Sequence, residues 1–465
     1  MVIPSSLNVS ALYEIAHTLL YGTDERSRTQ RAALFAFGIR VASAGIAFAS
    51  HIFLARWIGA FEFGIFAYVW IWVFILGSLS TCGLNTAVLR FIPELRDNSK
   101  LSLLRGFVNA SRLIVVGIAS ILALAGVGLL LAVEGVVSDY YIAPLILGAI
   151  CLPMFALTDL QDGISRTFSW IDLALAPPYI IRPILLLILF ALALISGAEP
   201  SGKTAILAMI GATWLAAVFQ TLLLNTRLKT IIEPGKKSYD IGFWIKVSLP
   251  IMMVDGFYIL MTHTDIVVLN FFLKPQDIAI YFAAVKTTSL VSFIYFAVVA
   301  AQMHKFSSLH SSDKTEQLHA LVKQSITWIF WPSLLAACLI LSLGMPLLSL
   351  YGSDFTTGFS VMIILAIGLV VRAAFGPLEF ILNVLGQQKA SAVVLFSAVV
   401  INIGLNFLLI PRFGLEGAAA ATTLTVAYVC CLLFAVAKVR LGLHSFIVGH
   451  SNTVGPIQNE ALADA

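Results

Sequence analysis

The sequence predicts an all-α integral membrane protein with about twelve transmembrane helices. Two observations carry this prediction. The 465-residue chain is 60% apolar and only 11% charged, whereas soluble domains are about 25% charged. Its apolar residues also fall into long runs, each close to the roughly 20 residues that cross a hydrocarbon core. Such a chain has too little polar surface to fold in water.

The connections between the predicted spans alternate in their content of basic residues. Of the 28 Lys and Arg residues, 19 lie in or within four residues of the two tails and the even-numbered connections, and 4 lie in or directly beside the odd-numbered ones. Because basic connections stay in the cytoplasm, both tails are predicted to be cytoplasmic. The predicted spans are 32–55, 63–88, 106–132, 140–161, 174–197, 203–225, 243–272, 277–302, 323–350, 357–385, 390–410 and 415–437.

These spans divide the chain into two membrane halves and leave no soluble domain. We expect a cytoplasmic tail at 1–31, a six-helix half at 32–225, a cytoplasmic linker at 226–242, a second half at 243–437 and a cytoplasmic tail at 438–465. Apolar residues of the first tail recur at helical spacing, which favours a position on the membrane surface. The net charge of +4 follows from topology and predicts no nucleic-acid partner. The five cysteines lie in apolar spans without CxxC spacing, so neither a metal nor another cofactor is expected.

The two halves of the chain echo each other around the first and seventh connections. Residues Phe53–Tyr68 and Val268–Ala283 align when the numbering is shifted by 215, which pairs Glu62 with Asp277. Both stretches join an odd-numbered span to an even-numbered one. A parallel repeat of two halves occurs in several transporter folds, with the substrate site between the halves near mid-membrane.

Four stretches carry a resemblance to a known family. They are Leu405–Pro411 with Gly414 and Gly417 after it, Ala55–Gly59 through Gly64, Arg90–Glu94, and Ser248–Pro250 with Asp265. Together they resemble the polysaccharide flippases, the Wzx-type exporters of lipid-linked oligosaccharides in the MOP (multidrug/oligosaccharidyl-lipid/polysaccharide) superfamily. The resemblance implies an all-α bundle in which two six-helix halves form a V shape around a central cavity. It also implies a protein of the bacterial inner membrane that binds a lipid-linked oligosaccharide and membrane lipids. Glycan polymerase and export machinery are the further partners that it implies.

Proline and glycine mark the points where the bundle is expected to bend. Pro250 lies inside span seven and is expected to kink it, and Gly376-Pro377 should do the same in span ten. Gly414 and Gly417 follow Pro411 and permit a tight turn and a close approach of the next helix.

Four basic residues lie deep in predicted spans and are the candidate substrate-binding residues: Arg40, Arg182, Lys286 and Arg372. Each stands about nine to sixteen residues into its span, at a rise of about 1.5 Å per residue. Four such charges cost on the order of 10 kcal/mol unless they line a wet cavity or meet partners. A cavity lined by them suits the diphosphate of a polyprenol lipid, since Arg grips phosphate through a planar fork.

Three acidic residues in the spans are candidate ion-coupling residues: Asp255, Asp265 and Glu379. Asp255 and Asp265 lie about 80° apart around one helix, which allows them to share one broad cavity face. The alternative is that these acids only neutralise the basic residues. His51 and His263 are also deep in spans and are expected to be hydrogen-bonded core residues.

The predicted function is that of a flippase, not an enzyme, which moves a polyprenyl-diphosphate-linked oligosaccharide by alternating access for cell-surface or exported polysaccharide. A multidrug or cation antiporter of the same superfamily is the first alternative, and its cavity should be dominated by carboxylates. A polysaccharide polymerase or ligase is the second alternative. It should have a large outer loop, and the longest outer connection here has only about ten residues.

Overall fold

The computed structural model describes residues 25–132, 137–311, 315–443 and 445–447, and within these ranges every regular element is a helix. In chain order the helices are α1 (Glu25–Ser80), α2 (Leu84–Asp97), α3 (Leu101–Ala132), α4 (Asp139–Ala149), α5 (Leu152–Thr167), α6 (Ile171–Ala176), α7 (Arg182–Ile195), α8 (Gly202–Ile231), α9 (Ile241–Leu269), α10 (Pro275–Thr288), α11 (Ser292–Ser311), α12 (Thr315–Ser342), α13 (Gly344–Ser349), α14 (Phe359–Phe375), α15 (Leu378–Val384) and α16 (Gln388–Leu441). The surface segment predicted in the first tail lies outside the described residues.

The chain is a multi-pass membrane protein. Among the described residues, nine helical segments are long and apolar enough to cross a bilayer, or ten if the bent pair α4 and α5 forms one span. Helices suit this environment because hydrocarbon offers no partner for an unpaired backbone N–H or C=O. The predicted all-α membrane class is therefore confirmed, while the exact number of twelve helices stays a prediction.

Two of the nine segments are long enough for more than one crossing. They cover Gly38–Asp97 and Gln388–Leu441, with 60 and 54 residues, against roughly 20 for a single crossing. The backbone leaves helical geometry at Gly59 in the first (φ 79°, ψ 168°) and at Gly414 in the second (φ 57°, ψ −131°). A positive φ costs glycine little, so each glycine permits a sharp reversal between two helices.

The predicted bends are confirmed at two places, and the kink at Pro250 stays a prediction. Gly376 (φ 69°) separates α14 from α15, and a Cβ on Gly417 would lie 2.4 Å from the Leu409 carbonyl oxygen, which shows the predicted close approach. Pro250, in contrast, lies within the uninterrupted helix α9. A further break was not predicted: α1 ends at Ser80, and Gly83 (φ 73°) precedes α2, inside the predicted span 63–88.

The two halves of the bundle contact each other on the face that carries the odd-numbered connections. Arg56 donates from Nε to the Leu350 carbonyl oxygen (2.7 Å) and from Nη2 to that of Ser349 (2.8 Å). A Cβ on Gly64 would lie 1.8 Å from the Pro275 carbonyl oxygen, so the two backbones touch there. These residues form what we call the odd-face contact.

A second contact lies on the face that carries the even-numbered connections. A Cβ on Gly83 would lie 2.4 Å from the Ser248 carbonyl oxygen and 2.7 Å from the Met252 nitrogen. The Thr86 hydroxyl donates to Asp255 Oδ2 (3.0 Å). These five residues form the even-face contact, and the cavities described next lie between the halves.

Candidate functional site

Basic side chains from both halves line one cavity of about 540 Å³. Arg40, Arg166 and Arg182 come from the first half and Lys286 from the second, and no Asp or Glu is among its lining residues. We call this cavity the basic compartment. It brings together three of the four basic residues predicted from the sequence.

Aromatic rings hold two of these cations in place. The Arg182 guanidinium carbon lies 4.8 Å from the Trp70 ring centroid and 5.1 Å from that of Phe155. Lys286 Nζ lies 5.1 Å from the Phe282 ring centroid. Such contacts contribute about 0.5–2 kcal/mol each and leave the N–H donors of the cation available.

Local backbone geometry positions Arg182. A π-helical turn at Pro177–Ile181 precedes it, and Arg182 is the first residue of α7. Pro177, Pro178 and Pro183 surround this point in the sequence, and proline lacks the N–H that a regular helix uses. The widened turn therefore falls directly before the arginine, as π-helical turns often do at functional sites.

A neighbouring cavity of about 530 Å³ has the opposite balance of charge. Its lining includes the four carboxylates of Asp159, Asp162, Asp255 and Glu379 against two guanidiniums, those of Arg182 and Arg372. We call it the acidic compartment. The two compartments share the lining residues Phe74, Pro178, Tyr179, Arg182 and Phe296.

The four carboxylates of the acidic compartment differ in their partners. Asp162 forms an ion pair with Arg166 through both carboxylate oxygens. Asp159 Oδ2 accepts from Asn85 Nδ2 (3.1 Å), and Asp255 Oδ2 accepts from the Thr86 hydroxyl (3.0 Å). Glu379 makes no hydrogen bond or ion pair with any described residue. Arg372 packs over the Tyr295 ring, with its guanidinium carbon 4.5 Å from the centroid.

Asp265 lies apart from both compartments. Asp265 is only 2% exposed. Its Oδ2 accepts hydrogen bonds from the hydroxyl groups of Tyr281 (2.5 Å) and Thr422 (3.3 Å). It lines a third cavity of about 370 Å³, which also reaches Arg372. Their angular separation allows Asp255 and Asp265 to share one cavity face, but the two side chains line different cavities.

Direct neutralisation does not explain the deep charges. Within the described part of the chain, the ion pairs are Arg90–Glu94, Arg96–Asp97, Arg166–Asp162 and Arg227–Asp172. None of them joins a predicted substrate-binding residue to a predicted coupling residue. Arg40, Arg182, Lys286 and Arg372 thus line the cavities without a direct ion pair to a described residue.

The sequence reasoning missed three charged residues of α5 and misread two histidines. Asp159, Asp162 and Arg166 lie where the predicted fourth span, 140–161, meets the connection that follows it. Their spacing of three and four residues was the available signal, since it places them on one helix face. His51 and His263 line the basic compartment against the rings of Phe282 (5.2 Å) and Phe74 (5.0 Å) and form no hydrogen bond with a described residue.

Two relatives from Haloferax volcanii are similar to this chain in sequence. The probable low-salt glycan biosynthesis flippase Agl15 is 29% identical over 168 residues, and the probable flippase AglR is 27% identical over 168 residues. Each alignment covers 35% of this chain and 35% of the relative. The chain therefore matches only part of the length of these relatives.

Solved structures are similar over most of the chain. The lipid II flippase MurJ, in an inward closed conformation, gives a TM-score of 0.69 at 16% identity and covers 87% of both chains. An inward-facing multidrug resistance MATE family transporter of the MOP superfamily gives a TM-score of 0.68 at 13% identity, covering 93% of this chain and 98% of the other. At such low identity these likenesses show the fold.

The family described as polysaccharide biosynthesis protein matches residues 31–310, which is more than half of the chain. With this match and the likeness in fold, the sequence resemblance to polysaccharide flippases is confirmed. The chain belongs to the polysaccharide biosynthesis protein family and has the fold of the MOP superfamily transporters.

Proposed function

We propose that this protein is a flippase that carries a polyprenyl-diphosphate-linked oligosaccharide from the cytoplasmic to the outer leaflet of the bacterial inner membrane. It works by alternating access and breaks no covalent bond, and it supplies glycan to polymerase and export machinery. The observation that supports this most is the basic compartment, where cations face a cavity without a carboxylate. The family match and the flippase names of the two relatives support the same proposal.

The unpaired cations explain why an anionic headgroup is the cargo. Arg40, Arg182 and Lys286 make no ion pair with a described residue. On insertion scales each such charge costs roughly 2.5–3.5 kcal/mol at the centre of the membrane, and a bound diphosphate offsets part of this cost. Arg can bind two phosphate oxygens at once, and Lys supplies a compact charge. Since these cations come from both halves, one diphosphate between them bridges the halves.

The test is flipping of a polyprenyl-diphosphate-linked disaccharide by the purified full-length protein in proteoliposomes. Arg182→Ala should lower the rate by about tenfold or more, because a hydrogen bond to a charged group contributes about 1.5–3 kcal/mol. Arg40→Ala and Lys286→Ala should also lower it. Arg182→Lys should keep part of the activity if charge alone matters, and little if the planar fork is needed.

Arg112→Ala is the matched control for these variants. Arg112 is also an arginine within a spanning helix, but it donates to Asn225 Oδ1 (2.6 Å) and lines none of the three cavities. Its replacement should leave flipping close to the wild-type rate. Wild-type flipping by all three compartment variants would refute the role of the basic compartment.

Among the three predicted coupling residues, we propose Asp265 as the one that links transport to an ion gradient. Its separation from the compartments and its two hydroxyl partners allow it to change protonation or bind a cation without contacting the cargo. Asp265→Asn should weaken gradient-driven transport while cargo binding persists. An equal loss of binding and transport would make Asp265 a structural residue instead.

Cytoplasmic termini are part of this proposal, and labelling of introduced cysteines tests them. Sites near Glu199 and Asp354, in odd-numbered connections, should react with an impermeant reagent added outside. Sites near Lys100 and Lys236 should react only after the membrane is opened. The reverse pattern would invert the direction of transport.

A cation antiporter is the second candidate, and the four carboxylates of the acidic compartment favour it. Such a protein would drive efflux of an organic cation with a proton or sodium gradient. The same proteoliposomes distinguish the two functions when they are loaded with an organic cation in place of the lipid-linked disaccharide.

A further inference from the structure

We propose that the acidic compartment binds the glycan of the cargo and that its carboxylates select the sugars. They favour neutral or amino-bearing sugars next to the diphosphate and reject sugars that carry a carboxylate. This inference rests on the proposed flippase function and adds a specificity site to it.

The position of Arg182 connects the two compartments. Its side chain lines both cavities, so a diphosphate held by Arg182 and its neighbours in the basic compartment has its sugar end at the shared wall. The sugars that follow then extend into the acidic compartment. At about 530 Å³, this cavity falls within the range of about 300–1,000 Å³ that is usual for ligand pockets.

The contrast in charge between the compartments determines which chemical groups of the cargo each compartment can bind. The wall of the basic compartment has four cations and no carboxylate, whereas the acidic compartment has four carboxylates and two guanidiniums. An ionised carboxylate accepts hydrogen bonds only, and sugar hydroxyls and ammonium groups donate them. A uronic acid would place like charges together in a low-dielectric site, which repels it.

Three of the four carboxylates have oxygen atoms available for a sugar. Glu379 forms no hydrogen bond or ion pair with a described residue, so both of its oxygens can accept hydrogen bonds. Asp159 and Asp255 each use Oδ2 with a neighbouring side chain, and their Oδ1 atoms accept none from a described residue. Asp162 uses both oxygens in its pair with Arg166 and is therefore excluded from this role.

The remaining lining of the acidic compartment also suits a sugar. The rings of Tyr179, Tyr258 and Tyr295 offer apolar faces for the C–H surface of a pyranose and hydroxyl groups at their tips. Asn383 adds an amide with both donors and acceptors. A site for small organic cations needs few of these additional hydrogen-bonding groups.

Two matched substrates test the proposal with the full-length protein in proteoliposomes. Both are polyprenyl-diphosphate-linked disaccharides, and they differ only in the second sugar, which is glucose in one and glucuronic acid in the other. The wild type should flip the glucose form at least about tenfold faster, as expected for an unfavourable charge contact in a low-dielectric site. The methyl ester of the glucuronic acid form removes the charge and should restore most of the rate.

Substitutions then test which side chains discriminate between the glucose form and the glucuronic acid form. Glu379→Gln, Asp255→Asn and Asp159→Asn should each reduce the ratio of the two rates, and continued flipping of the glucose form shows that these variants fold. Arg40→Gln should slow both substrates and leave the ratio unchanged, because Arg40 lines only the basic compartment.

The outcomes separate this inference from the proposed function. Equal flipping of the two substrates by the wild type, or faster flipping of the glucuronic acid form, would overturn the selection of sugars and leave the flippase intact. A ratio that none of the three variants changes would overturn the assignment to the acidic compartment. Flipping of neither substrate, with gradient-driven efflux of an organic cation, would overturn the flippase itself.

Discussion

The odd-face and even-face contacts join the same two halves by different chemistry. On the odd face, Arg56 donates to two backbone carbonyl oxygens, and carbonyl groups neither titrate nor face the cavities here. On the even face, the Thr86 hydroxyl donates to Asp255, whose carboxylate also lines the acidic compartment. A molecule bound in the acidic compartment can therefore compete with Thr86 for Asp255. It has no comparable access to the carbonyl groups of the odd-face contact.

This difference suggests how the cycle is controlled. In alternating access one half rocks against the other around a central site, so the contacts on the two faces must open in turn. A cargo that binds Asp255 weakens the even-face contact directly. Opening of the odd face then requires that the two hydrogen bonds from Arg56 to the carbonyl oxygens of Ser349 and Leu350 break.

The largest expected effect comes from filling the closest approach on the odd face. In Gly64→Ala the new Cβ would lie 1.8 Å from the Pro275 carbonyl oxygen, so this contact cannot close without a backbone shift. Overpacking of this kind costs typically about 1–3 kcal/mol. Flipping should fall steeply, and spin labels on the two halves should report a wider separation on the odd face.

Gly45→Ala is the matched control for that variant, because no atom lies within 4 Å of a Cβ at Gly45. Gly83→Ala is the counterpart on the even face, where the new Cβ would lie 2.4 Å from the Ser248 carbonyl oxygen. It should separate the even face instead. The same shift of labels in both glycine variants would show that the two contacts do not open independently.

An intermediate effect is expected from Arg56. Arg56→Ala removes two charge-assisted hydrogen bonds, each of which contributes about 1.5–3 kcal/mol. The odd face should open more often, which would appear as faster labelling of a cysteine placed beside Leu350. Arg56→Lys should retain part of the protection, since Lys cannot reproduce the two-pronged geometry. Phe63 of the first half also packs against the rings of Phe282, Tyr351 and Phe355 of the second half. Unchanged labelling in Arg56→Ala would mean that this aromatic packing closes the odd face without the arginine.

The smallest effect is expected from Thr86→Val, which removes one hydrogen bond and keeps the shape of the side chain. A single hydrogen bond contributes about 0.5–1.5 kcal/mol, so the even face should open a few times more often. Affinity for the glucose-bearing cargo should rise, because Asp255 no longer has a competing partner. Thr86→Ser keeps the hydroxyl and should behave as the wild type, and lower affinity in Thr86→Val would contradict competition at Asp255.

Much of the fold could be predicted from the sequence because a bilayer limits the choices. Long apolar runs must form helices in the bilayer. The turn at Gly414 could be predicted because Pro411 and Gly414 are residues that favour turns. The lining of cavities by Arg40, Arg182, Lys286 and Arg372 could also be predicted, since charges within apolar helices are costly unless they line a cavity or meet partners.

The division of those charges between two compartments could not be predicted in the same way. It depends on the rotation of each helix and on the neighbour it meets, and neither is encoded in spacing along one segment. Asp255 and Asp265 show this. They lie about 80° apart around the helix axis, which allows them to line one cavity, but they line two different cavities. Asp159 was missed for a similar reason, since its partner Asn85 lies 74 residues away in the sequence.

Phe296 has a consequence for the evolution of the cavity. Its side chain lines the basic compartment, the acidic compartment and the third cavity beside Asp265, so one aromatic ring stands where all three volumes meet. A change to a smaller residue at this position would join them into one continuous space while every charged group stays in place. Cargo range could thus widen by a single mutation, with the cations that we propose to hold the diphosphate unaltered.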